Sequence, residues 1–281
     1  MTELTVSPEW LKERLGDPRV KIVDASWYLP AQTRDGKAEF LSGHIPGSVF
    51  FDIDAIADHS TDLPHMLPDA KAFAAAAGAL GLSESDTIVV YDGMGLFTAP
   101  RVWWTLKVFG AKDVRVLDGG FPAWKRAGSP IEASEAKPKP SKFNAQFSAE
   151  TVRNFDQVRK QLAAKEAVVV DARGAPRFRG EAPEPRAGLA SGHMPGARNV
   201  PYDTVADDQG RLKPPDEVRK VFQNAGVDLS SPVVTSCGSG VTAEVLLFAL
   251  ASLGKHDVAL YDGSWTEWGS RADAPVATGP A

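Results

Sequence analysis

The chain has one cysteine, Cys237, within the stretch VVTSCGSGVTAEVLLFALASLG. An apolar run ends there, a helical pattern begins, and the neighbours are glycine, serine and threonine. A strand through PVVTS, a turn, and a helix from about Val241 would put the thiol at the carboxyl end of a strand, where open α/β sheets form their sites. A glycine-rich turn into a helix aims several backbone N–H groups at one point, and the helix dipole adds positive potential there. A thiol so placed is expected to have a lowered pKa and to react as thiolate near neutral pH. The same amides would hold an anion bonded to its sulfur.

The alternative is that Cys237 is a small buried hydrophobe, as free cysteines often are. Three chemistries fail on spacing. A disulfide oxidoreductase would want a second cysteine where Gly240 stands, and a cysteine phosphatase an arginine where Ala243 stands. A papain-like protease would need a histidine base and flanking residues that are missing. What remains is a lone thiolate that accepts one atom, becomes a persulfide and passes it on.

The elements that must position this turn are written twice. LSGHIPGSVFFD at 41–52 returns as ASGHMPGARNVPYD at 190–203, IVVYDGMGLFTA at 88–99 as PVVTSCGSGVTA at 232–243, and VLDGGFPAW at 116–124 as LYDGSWTEW at 260–268. Thr98 and Thr242, Gly110 and Gly254, Asp118 and Asp262, and Trp124 and Trp268 are each 144 residues apart, whereas His44 and His193 are 149 apart. A fixed spacing of this kind marks a duplicated domain. The first copy has Gly93 in the place of Cys237, so packing does not by itself demand a thiol there.

Short apolar runs alternate with helical patterns in each half. In the second, AVVVDAR, PVVTSC and DVALYDG read as strands. Val241, Val245, Phe248, Ala249 and Ser252 fall on one helical face, and Gly254 suits the helix end. Apolar strands separated by helices indicate a parallel sheet covered on both faces. The expected architecture is α/β: two tandem domains, each a parallel β-sheet flanked by helices, with a cleft between them. The first domain spans 1–130, an extended proline-rich linker 131–147, and the second domain 148–281. His44 and His193 recur in both copies, so a structural turn role is expected. Asp24 and Asp171, each ending an apolar run, are read the same way, and Trp103, Trp104, Trp124 and Trp268 as core or interdomain packing.

Composition bounds the partners. Of 281 residues, 43% are hydrophobic and 24% charged, with a formal net charge of -5. That suits a soluble globular protein and argues against nucleic acid or an anionic membrane as main partner. No apolar run approaches the roughly 18–20 residues that span a bilayer. The polar start MTELTVSPEWLKERLGDP resembles neither a secretory signal nor a transit peptide. One cysteine rules out an internal disulfide and a cysteine-cluster metal site. A cytoplasmic location is expected, with no metal and no organic cofactor.

The repeated SGH-PG segments, the CGSGVTA loop, VLDGG and YDGSW together make the chain similar, over essentially its whole length, to the tandem-domain rhodanese superfamily of sulfurtransferases. The resemblance implies a catalytically silent first domain and an active second one. Thiosulfate enzymes of that superfamily typically have two basic residues after the cysteine. Here Gly238 and Ser239 follow, and the loop resembles that of the 3-mercaptopyruvate sulfurtransferases. That likeness implies two arginines for the donor carboxylate, and in PRFRGEAPEPRAG at 176–188 they match Arg177 and Arg186; Arg179 lies nearby. It implies a relay in which Asp54 and His65, within FFDIDAIADHSTDLPHMLP at 50–68, partner Ser239. Gly238, Gly240, Val241 and Thr242 would line the anion cradle. The implied reaction moves sulfur from 3-mercaptopyruvate through a Cys237 persulfide to a thiol, cyanide or thioredoxin-like acceptor. Thiosulfate:cyanide sulfur transfer and a non-catalytic persulfide carrier are the alternatives.

Overall fold

Valine-rich runs too short for helices form the strands of two parallel sheets, and the helical patterns between them form the cover. The computed structural model describes residues 4–134 and 137–281; residues 1–3 of the expected first domain and 135–136 of the expected linker lie outside them. The chain divides into two compact units. Unit 1 comprises the residues up to Asp58, Leu67–Ser148 and Ala206–Leu212; unit 2 comprises His59–Met66, Ala149–Val205 and Lys213–Ala281. The units follow the two halves except for two exchanged segments, 59–66 and 206–212.

In unit 1, β1 (Thr5–Val6), β2 (Val20–Asp24), β3 (Val49–Phe50), β4 (Thr87–Tyr91) and β5 (Asp113–Leu117) alternate with α1 (Pro8–Lys12), α2 (Gly36–Ser42), α3 (Ala70–Ala79), α4 (Ala99–Val108) and α5 (Gly120–Arg126). In unit 2, β6 (Val152–Arg153), β7 (Val168–Asp171), β8 (Arg198–Asn199), β9 (Val233–Ser236) and β10 (Val258–Tyr261) accompany α6 (Phe155–Ala164), α7 (Ala175–Phe178), α8 (Pro215–Asn224), α9 (Ala243–Ser252) and α10 (Ser264–Trp268). The sheet orders are β1-β5-β4-β2-β3 and β6-β10-β9-β7-β8, the same topology twice, and all pairings are parallel. The central strands are buried on both faces, as a parallel sheet between helices requires. Among the described residues no helix is long and apolar enough to cross a membrane.

Repeated residues do the same structural work in each unit. His44 turns its Nδ1 to the Phe40 carbonyl at 2.7 Å and stacks on that ring at 4.0 Å. His193 does likewise with Phe178, at 2.9 and 3.8 Å. Trp103, Trp104, Trp124 and Trp268 are all buried. The indole N–H of Trp124 is satisfied by the Pro130 carbonyl and that of Trp268 by Pro275, at 2.8 and 2.9 Å. Residues 137–148 run without regular structure along unit 1. Ser141 N–H donates to the Gly78 carbonyl at 2.8 Å and Gln146 N–H to Phe109 at 2.9 Å. Phe143 is buried edge-on against Phe73, and the exposed Phe147 lies 5.5 Å from the Phe109 ring.

The turn after β4, which matches the cysteine turn of unit 2, is filled by its own carboxylate. Asp92 accepts from the N–H groups of Met94, Gly95, Phe97, Thr98 and Ala99 at 2.7–2.9 Å. The start of α4 thus holds a fixed internal anion, which its dipole favours. Tyr28 closes the other side: a Cβ at Gly93 would stand 2.1 Å from its hydroxyl oxygen. The residue matching Asp92 in unit 2 is Ser236. Replacing Asp92 by Ala orphans several buried amides, each costing about 1–3 kcal/mol. The urea midpoint is expected to fall by an amount equivalent to at least about 2 kcal/mol, with the circular dichroism of the folded state retained. A loss under about 0.5 kcal/mol, the range of an ordinary surface change, would contradict this account of the turn.

Candidate active site

β9 ends at Ser236 and delivers Cys237 into a turn of six residues before α9 begins at Ala243. Cys237 is 2% exposed. Four hydrogen bonds tie this turn to the start of α10. Cys237 N–H donates to Ser264 Oγ at 3.1 Å, and Trp265 N–H donates to the Cys237 carbonyl at 3.0 Å. The Thr266 N–H and hydroxyl donate to the Gly238 carbonyl at 2.9 and 2.6 Å. Ser264 makes its bond from a left-handed backbone, φ 50°, which costs a non-glycine residue of order 1–3 kcal/mol. Its counterpart in unit 1 is Gly120, φ 55°. Unit 2 therefore tolerates a strained serine where unit 1 has glycine, and the hydroxyl it gains holds the amide of Cys237. Gly240, φ 74°, turns the chain toward α9. Thr242, the residue before α9, makes no side-chain cap. Ser236 Oγ, where unit 1 has the Asp92 carboxylate, is buried without a hydrogen-bond partner among the described residues.

Ser239 and His65 meet. Both are buried, and His65 Nδ1 lies 3.1 Å from Ser239 Oγ and 3.3 Å from its carbonyl oxygen. His65 belongs to the 59–66 segment, which packs with unit 2 although it comes from the first half of the chain. It too has a left-handed backbone, φ 62°.

Arg177, on α7, lies beside the turn: a Cβ at Gly238 would stand 3.2 Å from its Nη2. Its guanidinium is held from behind by Glu184, with Nη2–Oε2 at 2.5 Å and Nε–Oε1 at 3.3 Å. Glu184 also accepts from Arg173 Nη1 at 2.7 Å. Arg173 pairs with Asp171, donates to the Gly192 carbonyl and lies 4.2 Å over the Trp265 ring. The Arg173, Asp171 and Glu184 side chains are 1–2% exposed, that of Arg177 26%. Burial works against the Arg173 charge, but Asp171 and Glu184 outweigh it and raise its pKa above the ordinary arginine value.

Cys237, Gly238, Ser239, Gly240, Val241 and Thr242 thus share one turn, and His65 and Arg177 join it. Arg186 is half-buried in the irregular segment between α7 and β8. Arg179 pairs with Glu181 at 2.7 Å in an exposed contact. Asp54 belongs to unit 1, where it accepts from Trp27 Nε1 at 2.9 Å. Among the described residues no group of three His, Cys, Asp or Glu side chains is placed to hold a metal. Glu184, Arg173, Ser264 and Thr266 are additions to the residues expected from sequence. The signals were present as an acid between Arg179 and Arg186 in RGEAPEPR and as a serine where the other copy has glycine.

The Rhodanese-like domain family matches residues 7–127 and 154–271. The 3-mercaptopyruvate sulfurtransferase of Escherichia coli (strain K12) is 45% identical over 272 residues, 96% of this chain and 96% of that protein. The Arabidopsis thaliana protein named thiosulfate/3-mercaptopyruvate sulfurtransferase 1, mitochondrial, is 43% identical over 296 residues, 98% of this chain and 78% of that one. The crystal structure of SseA from Escherichia coli, described as a 3-mercaptopyruvate sulfotransferase with the rhodanese fold, superposes with a TM-score of 0.87 at 43% identity, covering 94% of this chain and 99% of that one. With two matched segments, two sheets of one topology and a single cysteine turn at the end of β9, the chain belongs to the rhodanese-like family as a tandem pair of its domains.

Proposed function

We propose that the protein is a 3-mercaptopyruvate sulfurtransferase. The observation that carries the donor choice is the fit of Gly238 against Arg177. A Cβ at 238 would crowd that guanidinium by a few tenths of an ångström, and neither Gly238 nor Ser239 offers the cation that a dianionic donor would need beside the sulfur. Positive charge comes instead from Arg177, beside Gly238, which suits a donor whose carboxylate is remote from its sulfur. An arginine fork binds a carboxylate through two oxygens. Arg186 supplies the second cation of the clamp.

The reaction runs in two halves. Cys237 thiolate attacks the donor sulfur, a sulfur–sulfur bond forms and the donor's carbon–sulfur bond breaks. The electron pair of that bond stays on carbon as the enolate of pyruvate, which takes a proton to give pyruvate. The cysteine sulfur is oxidised to the persulfide level and the donor carbon is reduced, so no outside oxidant is needed. Ser239 and His65 move the proton. The amides of Gly238, Gly240, Val241 and Thr242 stabilise the persulfide anion. A thiol, cyanide or a thioredoxin-like protein then removes the outer sulfur and frees the thiolate. This is covalent catalysis by the chain's own residues. The first domain is silent, because Gly93 offers no nucleophile and Asp92 occupies its cradle. Neither nucleic acid nor a membrane is a partner, and the location is cytoplasmic.

Steady-state kinetics with both donors and cyanide as common acceptor test the reading. kcat/KM for mercaptopyruvate is expected to exceed that for thiosulfate by at least about tenfold, the effect of one mismatched charge-assisted contact. A preference for thiosulfate would overturn the assignment. Arg177→Ala or Arg186→Ala is expected to raise KM for mercaptopyruvate by about ten- to a hundredfold, each removing charge-assisted hydrogen bonds. Wild-type KM in both variants would mean that the carboxylate is bound elsewhere.

A further inference from the structure

We infer that Glu184 is a positioning and specificity-determining residue: it aims Arg177 at the cysteine turn and offsets the positive charge that Arg177 brings to the donor site. This rests on the donor reading above and extends it to a residue that touches no substrate.

The first argument is geometric. Arg177 spends its Nε–H and an Nη2 donor on Glu184, so the opposite edge of the guanidinium is the part left to face a ligand. The Glu184 side chain is 2% exposed and cannot swing to water. The third member, Arg173, is itself fixed by Asp171, the Gly192 carbonyl and the Trp265 ring. Arg177 is therefore held by a carboxylate that is in turn held by a second, immobile arginine. A guanidinium on α7 without that partner would have the free rotamers of a half-exposed arginine, and ordering it would then be charged against donor binding.

The second argument is charge. Asp171 and Glu184 carry two negative charges, and Arg173 and Arg177 two positive ones. The cluster is neutral, so Glu184 offsets the charge that Arg177 would otherwise bring to the donor site. Were Glu184 neutral, the same site would carry one positive charge more and would shift toward a dianion. Removing one member of a buried charge pair leaves the other uncompensated, so the effect falls on the arginine beside the donor.

The test uses full-length protein and donor kinetics with cyanide as acceptor. For Glu184→Gln, kcat/KM with mercaptopyruvate is expected to fall by about tenfold or more, and the mercaptopyruvate-to-thiosulfate ratio to move toward thiosulfate by about tenfold. A merely structural residue would lower both donors together, so an unchanged ratio overturns the inference. Glu184→Asp keeps the charge, shortens the reach by one methylene and serves if the glutamine variant does not fold. It is expected to raise KM for mercaptopyruvate by about fivefold or more, with kcat within about twofold and the donor ratio kept, as befits lost orientation. Wild-type KM in that variant contradicts the positioning role. Wild-type preference for thiosulfate is a separate outcome, which overturns the donor reading itself whatever the variants do.

Discussion

Four hydrogen bonds between the cysteine turn and the first residues of α10 hold the site together. They fix the carbonyls of Cys237 and Gly238 on one side, so the turn cannot relax into a continuous strand-to-helix connection. Without them the thiol would be an ordinary buried cysteine at the end of β9. Ser264 shows what the arrangement costs, since it keeps a backbone conformation that its counterpart in unit 1 meets with Gly120. Strain of this kind persists where the surroundings over-determine it, and it clusters at functional sites.

The duplication supplies an internal control. Both units build the same β-turn-helix cradle from the same sheet order. In one, Asp92 fills the cradle with five short bonds from the backbone; in the other, Ser236 withdraws that carboxylate and Cys237 stands where Gly93 was. One fold thus carries a turn filled by its own carboxylate and a turn without it. The topology is shared, and the difference lies in residues such as Asp92 against Ser236, Gly93 against Cys237 and Gly120 against Ser264.

Much of this was legible in the sequence, and what was legible was local. Strand and helix runs follow from periodicity, and the parallel sheet follows from their alternation. The repeat separated His44 and His193, which stack on Phe40 and Phe178, from candidates for chemistry. Glu184 was hidden, because an acid within EAPEPR reads as a solvated loop charge until Arg173 and Arg177 close over it. Asp92 was hidden in the same way, since a carboxylate that serves five backbone amides looks like any aspartate at a strand end. The exchanged segments, 59–66 and 206–212, depend on contacts far apart in the chain that no local pattern encodes. In the expected linker, Phe143 against Phe73, Phe147 against Phe109 and backbone bonds from Ser141 and Gln146 lay a polar, proline-rich stretch along unit 1.

The central claim is that Cys237 carries the transferred sulfur. Mass spectrometry of the protein after treatment with mercaptopyruvate, without an acceptor, addresses it directly. The account predicts a gain of one sulfur atom, mapped to the peptide containing Cys237, lost on addition of cyanide and absent from Cys237→Ser, whose hydroxyl cannot form a persulfide. Sulfur on any other residue, or pyruvate release sustained by the serine variant, would contradict it.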